Sequence, residues 1–290
     1  HLEFDIVNMK SKLVKYWDFK LKPNYNLLNS KVEELSEEFS ELMIKSTKRR
    51  LMSDVPLGFF LSGGLDSTSL LASACKININ KKLNAFTIGF NEKTFDESNW
   101  AKIASNYFNI NHHLKYLDFN DFKNDTSFIL SKNDIPIADS SIISTFSLCK
   151  LASKKVKVAL SGDGADEILA GYDPFLAIKP AQIYNKIIPK PVHYLILKIA
   201  NLLPVSNDNL SFDFKIKKTL NGLSYPQKYI SPIWMSILDP HEINDLFNVK
   251  ISLEELYSET IELFELNQSK SSFENMLYFF TKFYLTDNIL

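Results

Sequence analysis

Two short stretches carry the residue types that do chemistry. Residues 62–68 read Ser-Gly-Gly-Leu-Asp-Ser-Thr, and residues 161–167 read Ser-Gly-Asp-Gly-Ala-Asp-Glu. Each follows an apolar run, Leu57, Phe59, Phe60 and Leu61 before the first and Val156, Val158, Ala159 and Leu160 before the second. Such runs read as buried strands, and the residues after each turn read as the start of a helix. In the first stretch two glycines let backbone approach a ligand, the helix N-terminus supplies positive potential, and Ser62, Ser67 and Thr68 add hydroxyls. That is the chemistry of an anion cradle. No lysine follows the glycines, which separates it from the Walker A pattern. An ordinary strand–turn–helix joint accounts for a single acid that favours the helix dipole. It does not account for the glycine-separated acids Asp163, Asp166 and Glu167 repeating the form of a first anion loop.

The elements that must position these stretches are strands of one sheet. If Leu57–Leu61 and Val156–Leu160 run parallel, both turns lie at carboxyl ends and face one crevice. Between them, residues 83–90 read as a second strand ending near Gly89, and Phe95-Asp96-Glu97-Ser98 opens a helix through Trp100, Ile103, Ala104 and Tyr107. His112 and His113 begin a third strand; adjacent strand residues face opposite sides, which argues against a shared metal ion. A helix over 119–130 follows, and residues 134–141 cap another over 141–152, with Asp139 either fixing that start or facing the cleft. Upstream, Val32, Leu35, Phe39, Leu42 and Met43 recur at helical spacing, with acids early and Lys48, Arg49 and Arg50 late. The fold class expected is α/β, a parallel sheet with flanking helices followed by a mainly helical region.

With 290 residues, 45% hydrophobic and 13% aromatic, the chain has material for one large core or two smaller ones. A net charge of −1 leaves no footprint for nucleic acid. No run of about 18 apolar residues exists to span a membrane. Cys75 and Cys149 stand far apart, so each is expected as a small buried apolar residue in a reducing, cytoplasmic compartment. The opening at His1, without a signal peptide, suggests a piece of a longer protein. Glycines concentrate before residue 172 and prolines after 173, which places a subdomain change near Tyr172. Three parts are expected: 1–30, a tail and linker with a strand-like piece around Leu13, Val14, Tyr16 and Trp17; 31–172, the α/β domain; and 173–290, mainly helical. In the last, Tyr194, Leu195, Leu197, Ile199 and Leu202 form an apolar face, and Pro189, Pro191 and Pro204 break residues 183–203 into a core-packed helix pair.

Ser62-Gly63-Gly64-Leu65-Asp66-Ser67 resembles the pyrophosphate loop of the ATP-pyrophosphatase superfamily, in the form found in asparagine synthetases. The second stretch, with Gly171-Tyr172, resembles that family's second signature, where a glutamate often stands at the position of Asp163. Tyr16-Trp17-Asp18 is similar to the junction after the glutaminase domain, and residues 284–290 to a stretch that ordinarily continues into another helix. The resemblance implies ATP cleaved between its α and β phosphates, with a substrate carboxylate, aspartate by analogy, attacking the α-phosphate to give an acyl-adenylate. It implies that Leu61, Ser62, Gly63, Gly64, Asp66 and Ser67 hold the nucleotide and its pyrophosphate, that Ile88 and Gly89 line an adenine pocket, and that Ser161 and Gly162 contact the nucleotide. Asp66 and Asp166 would hold Mg²⁺, since a carboxylate beside phosphates needs a hard cation between them. Asp163 would lie near the acyl-adenylate, with Asp166 as its catalytic neighbour. The family's glutaminase nucleophile, a cysteine, and its later lysine are not found in this sequence, so ammonia or glutamine is expected to be handled by a domain outside the chain or ammonia to come from solution. A homodimer is compatible with the family. Three other readings stay open: the same chemistry on a sugar acid or in β-lactam closure; a tRNA-modifying pyrophosphatase, opposed by the neutral charge and distant cysteines; and a non-catalytic nucleotide-binding module.

Overall fold

A hairpin of β1 (Leu2–Asp5) and β2 (Lys10–Leu13), with Leu2 opposite Leu13, opens the chain in this computed structural model, which describes residues 1–77, 82–134, 139, 141–206, 208–266 and 271–289. Parts of two expected segments lie outside the described residues: 135–138 and Ser140 before the fifth helix, and Leu290 with the side chain of Asn288 at the end. The strand expected around Leu13–Trp17 stops at Leu13, because residues 10–13 pair backward onto residues 2–5. The expected linker holds a 3₁₀ turn at Tyr25–Asn29, begun by Asn24 Oδ1 accepting from the Asn26 N–H at 3.2 Å. Helix α1 (Val32–Arg50) has Glu33 and Glu34 in its first turn and Lys48, Arg49 and Arg50 in its last, each set opposing the dipole charge at its end.

Four parallel strands follow, β3 (Leu57–Phe60), β4 (Asn84–Phe90), β5 (Asn111–Leu117) and β6 (Val158–Leu160), in spatial order β5-β4-β3-β6. Helices α2 (Leu65–Ile77), α3 (Ser98–Tyr107), α4 (Phe119–Lys132) and α5 (Ser141–Ala152) connect them. Strand alternation divides the core. Phe59, Leu61 and Ala85 pack with Leu71 and Ala74 of α2 and Ala101 and Ala104 of α3, whereas Phe60 and Phe86 pack with Leu148 and Ala152 of α5 and with Val156. Burial on both faces is why the central strands β3 and β4 are apolar runs and not alternating ones. Fully buried side chains such as Phe59, Leu71 and Phe86 each contribute about 1.5–3 kcal/mol.

The order of the strands makes the site. From β3 the sheet grows through β4 to β5, then the chain returns to lay β6 on the other side of β3. Strand order therefore reverses between β3 and β6, and ligands of doubly wound sheets bind outside the carboxyl ends at that reversal. Both sequence stretches begin there. Leu57 aligns with Val158 and Phe59 with Leu160, so the turns leave the sheet at the same level.

After β6 the chain is helical: α6 (Ala165–Leu169), α7 (Asp173–Ile187), α8 (Lys190–Ala200), α9 (Phe212–Leu223), α10 (Ile230–Met235), α11 (Pro240–Phe247), α12 (Leu253–Leu256), α13 (Ser258–Leu266) and α14 (Ser272–Phe279). Helix α14 passes into a π-helical segment, Phe280–Ile289. Phe175, Ile178, Leu223, Trp234, Met276 and Phe280 form this region's core. The helix pair α7–α8 is as expected, but most of the expected apolar face is not buried: Tyr194, Leu195, Ile199 and, just beyond α8, Leu202 are exposed, Leu197 is half-buried, and His193 and Ala200 face the interior. His193 is satisfied there by Ser224 Oγ at 2.9 Å and the Tyr184 hydroxyl at 3.2 Å. Asp18 bonds Lys282, and Phe19 stacks on Tyr278 at 5.9 Å, so the N-terminal segment rests on the C-terminal one.

Candidate active site

Gly63 sets the shape of the first loop. Its φ of +89° lies in the left-handed region, and a Cβ there would fall 2.3 Å from the Ala101 backbone nitrogen, so only glycine fits between β3 and α3. The turn is then held by Ser62, whose Oγ accepts from the Gly64 N–H at 3.1 Å and meets Ser67 Oγ at 3.0 Å. Ser67 Oγ lies 3.3 Å from the Gly64 carbonyl, and the Thr68 N–H donates to the same oxygen at 3.1 Å, starting α2. Leu61 is tied to the next strand: its carbonyl accepts from Thr87 Oγ1 at 2.5 Å, and Thr87 Oγ1 is 2.8 Å from His112 Nε2.

The second loop lies against the first. A Cβ on Gly162 would stand 2.9 Å from the Ser67 nitrogen and 3.3 Å from Asp66 Cβ, which puts the two turns in backbone contact. Asp163 turns back on its own loop, its carboxylate accepting from the Ser161 hydroxyl and its N–H donating to Ser161 Oγ at 3.2 Å. Between the loops opens a cavity of about 400 Å³, within the range of small-molecule sites. Leu61, Ser62, Gly64, Asp66 and Ser67 line it from the first loop, Ser161, Gly162, Asp163 and Asp166 from the second, and Ile88 from β4. Gly63 and Gly89 do not; Gly63 packs behind the loop on α3, and a Cβ on Gly89 would strike the Tyr116 ring at 2.7 Å.

Other lining residues were not singled out as site residues from the sequence. Phe60, Phe86, Phe90 and Phe95 give an apolar wall, Thr87, Ser144 and Thr145 add hydroxyls, and Glu97, Gly164, Glu167, Tyr172 and Ile289 complete the rim and floor. Glu167 and Tyr172 had a signal in the second stretch; Ser144 and Thr145 had none, since they reach the cavity only through the packing of α5 on the sheet. Asp139 accepts from the Ser141 N–H at 2.8 Å, the helix-start role, and Asp96 serves Ser98 in the same way at 3.1 Å. His112 and His113 part company: His112 lies between Thr87 and Ser105, and His113 stacks on Phe86 with its Nε2 3.1 Å from Asn84 Oδ1. Cys75 is half-buried and Cys149 exposed, both free thiols; the expectation of a buried Cys149 does not hold, because its position on α5 faces outward.

The cavity is acidic. Asp66, Glu97, Asp163, Asp166 and Glu167 line it, and no Lys, Arg or His does among the described residues. Burial, then the charges of Asp66 and Glu167, push the Asp166 carboxyl above its usual range. No group of three or more His, Cys, Asp or Glu is arranged as a metal cage among the described residues. Two facing aspartates suit instead a hard divalent ion that fills most of its shell with water and phosphate oxygens. Among the described residues no helix is long and apolar enough to cross a membrane.

Residues 38–290 match the asparagine synthase family. A putative glutamine-hydrolysing asparagine synthetase 2 of Methanocaldococcus jannaschii is 32% identical over 242 residues, covering 83% of this chain and 43% of that protein. Glutamine-hydrolysing asparagine synthetase 1 of Bacillus subtilis is 32% identical over 186 residues, 63% of this chain and 28% of its own. Amidase chyE of Penicillium rubens is 27% identical over 184 residues, 59% of this chain and 27% of its own. The chain thus spans less than half the length of these relatives. Among solved structures, NMN synthetase from Francisella tularensis aligns over 84% of this chain and 92% of its own at 14% identity, with a TM-score of 0.35. The match over residues 38–290, with both signature loops inside it, establishes that the chain belongs to the asparagine synthase family.

Proposed function

We propose that this chain is the synthetase part of an ATP-dependent amide-forming ligase that converts aspartate to asparagine with release of AMP and pyrophosphate. The observation that carries the reading is the meeting of the two loops, with Gly162 against Ser67 and with Asp66 and Asp166 in one cavity at the reversal of strand order. In this reading residues 1–30 are the tail of a preceding domain, residues 31–172 bind ATP, and residues 173–290 complete the synthetase part. A glutaminase domain outside the chain, or free ammonia, supplies nitrogen. Two free cysteines fit a cytoplasmic protein.

A substrate carboxylate oxygen attacks the α-phosphorus of ATP; the new O–P bond forms as the bond to the bridging oxygen of the β-phosphate breaks, and pyrophosphate departs with that electron pair. Ammonia then attacks the acyl carbon, and AMP leaves. The hydroxyls of Ser62 and Ser67, the Gly64 backbone and the N-terminus of α2 hold the departing pyrophosphate, a preorganised electrostatic role. Asp66 and Asp166 hold Mg²⁺, which when bound offsets charge between carboxylates and phosphates. Leu61 and Ile88 with the Phe60, Phe86 and Phe90 wall accommodate the nucleoside, Ser161 and Gly162 bracket the α-phosphate, and Asp163 lies beside the acyl group. Holding both reactants in one cleft adds the advantage of proximity and orientation.

A second reading, the same activation applied to another carboxylate, is favoured by one observation: two relatives bear the name amidase. The test is pyrophosphate release by the full-length protein with ATP, Mg²⁺ and ammonia, with and without L-aspartate, for wild type and Asp66→Ala. Aspartate-dependent release that the substitution abolishes supports the first reading; release with another acid alone supports the second; no release with any acid rejects both.

A further inference from the structure

The most buried charge of the cavity has no task in that scheme. Glu167 is 1% exposed and lines the cavity beside Asp166. Helix α6 ends in Ala170, held in the left-handed region at φ +59°, and the Gly171 N–H donates to the Asp166 carbonyl at 3.0 Å. This reversal folds Tyr172 back over the helix, where its hydroxyl donates to Glu167 Oε1 at 2.5 Å. The phenol is fixed as a donor: burial, then Glu167, raise it far above its usual range. Its ring stacks on Phe280 at 5.0 Å and meets the Tyr284 ring edge-on at 5.7 Å, and Thr281 Oγ1, which donates to the Leu277 carbonyl at 2.8 Å, lies 3.3 Å from the Glu167 carbonyl. Glu167 Oε2 is buried and has no hydrogen-bond partner.

An unpaired buried carboxylate oxygen is costly, by about 1–3 kcal/mol or more, so a residue fixed with one carboxylate oxygen paired and the other not invites a donor. The donor is not a divalent ion. One buried oxygen offers neither the oxygen count nor the retained waters that Mg²⁺ requires. A primary ammonium fits: it brings N–H donors to Oε2, its positive charge matches a cavity lined by acids without a basic residue among those described, and aromatic surroundings favour it.

We propose that Glu167 Oε2 is the acceptor for an ammonium group, a primary R–NH₃⁺ or the ammonium ion, with Tyr172 holding the other carboxylate oxygen so that Oε2 faces the ligand. This rests on the reading of the cavity as the site of carboxylate activation, and the ammonium belongs either to the amino-acid substrate or to the nitrogen donor itself.

Calorimetric titration of the full-length protein, saturated with Mg²⁺ and a non-cleavable ATP analogue, tests it with L-aspartate, with succinate, which lacks the amine, and with ammonium chloride. If the amino acid supplies the group, wild type prefers aspartate over succinate by about tenfold or more, and Glu167→Gln removes the preference by weakening aspartate alone. If ammonia supplies it, ammonium binds saturably to wild type and not to Glu167→Gln, and the two acids bind alike. Wild type that shows neither the preference nor saturable ammonium binding overturns the proposal without recourse to any variant. So does a preference, or ammonium binding, unchanged in a folded Glu167→Gln protein that still binds nucleotide. Failure of the parent reading shows separately, as absence of pyrophosphate release from any carboxylate.

Discussion

Gly162 rests on Ser67: a Cβ added to the glycine would lie 2.9 Å from the serine's backbone nitrogen, a distance real Cβ atoms essentially never show. The glycine sits in the turn after β6 and the serine in the first turn after β3, so this contact locks two glycine-bearing loops from neighbouring strands against one cavity. What it meets is backbone, which has no rotamer with which to yield.

Gly162→Ala therefore separates the loops. We expect nucleotide affinity to fall by tenfold or more, about 1.4 kcal/mol, with a stability loss of about 1–3 kcal/mol from local overpacking. Calorimetric titration with Mg·ATP and urea unfolding measure the two effects. Gly64→Ala is the control, since a Cβ there meets only Ser62 Oγ at 3.2 Å, and its stability loss is expected to be smaller.

Asp166→Asn has effects of opposite sign on stability and binding. The folded state raises the Asp166 carboxyl by burial and by the charge of Asp66, so its ionisation opposes folding. That penalty is absent below the unfolded-state value, grows as pH rises through the folded one, and is fully present at neutral pH. The variant should melt higher than wild type at pH 7, and the difference should vanish at low pH. Mg²⁺-dependent nucleotide binding should fall sharply in the same protein, a trade of stability against function. Thermal unfolding across pH, with and without Mg²⁺, checks both.

Thr87→Val keeps shape and removes two polar contacts. The Leu61 carbonyl loses its 2.5 Å donor and His112 its 2.8 Å partner, both at the root of the first loop. A loss of about 1–3 kcal/mol in urea unfolding is expected. Burial, then the His113 and Lys102 charges, hold the His112 imidazole below its usual 6.5. The unfolded chain takes up the proton first, so this contribution to stability is full above about 6.5 and declines as pH falls through that value. Replacing His112 by Gln should flatten that part of the pH profile.

The sheet and its two loops were legible because they are written locally: apolar runs, then glycine, hydroxyl and acid at fixed offsets. That is why Leu61, Ser62, Gly64, Asp66 and Ser67 fall on one cavity with Ser161, Gly162, Asp163 and Asp166. Ser144, Thr145 and the phenylalanine wall were not, since their place depends on how α5 and β4 pack. The pairing of Glu167 with Tyr172 was hidden for another reason. It requires Ala170, a residue with no sequence signal for a left-handed turn, to reverse the chain. The strand at residues 13–17 failed because its alternating pattern had no partner there, while the partner of residues 10–13 lay at residues 2–5. The buried His193 and exposed Leu195 of α8 show the limit of periodicity: it finds a face but not which side meets the core.

The most direct measurement of the central claim follows the oxygen atoms. Full-length protein is given ATP, Mg²⁺, ammonia and L-aspartate labelled with oxygen-18 in its side-chain carboxylate, and the released AMP is examined by mass spectrometry. Attack by the carboxylate on the α-phosphorus leaves one labelled oxygen on AMP when ammonia displaces it, and Asp66→Ala abolishes the labelled product. AMP formed without label, or ADP formed in its place, would contradict the account.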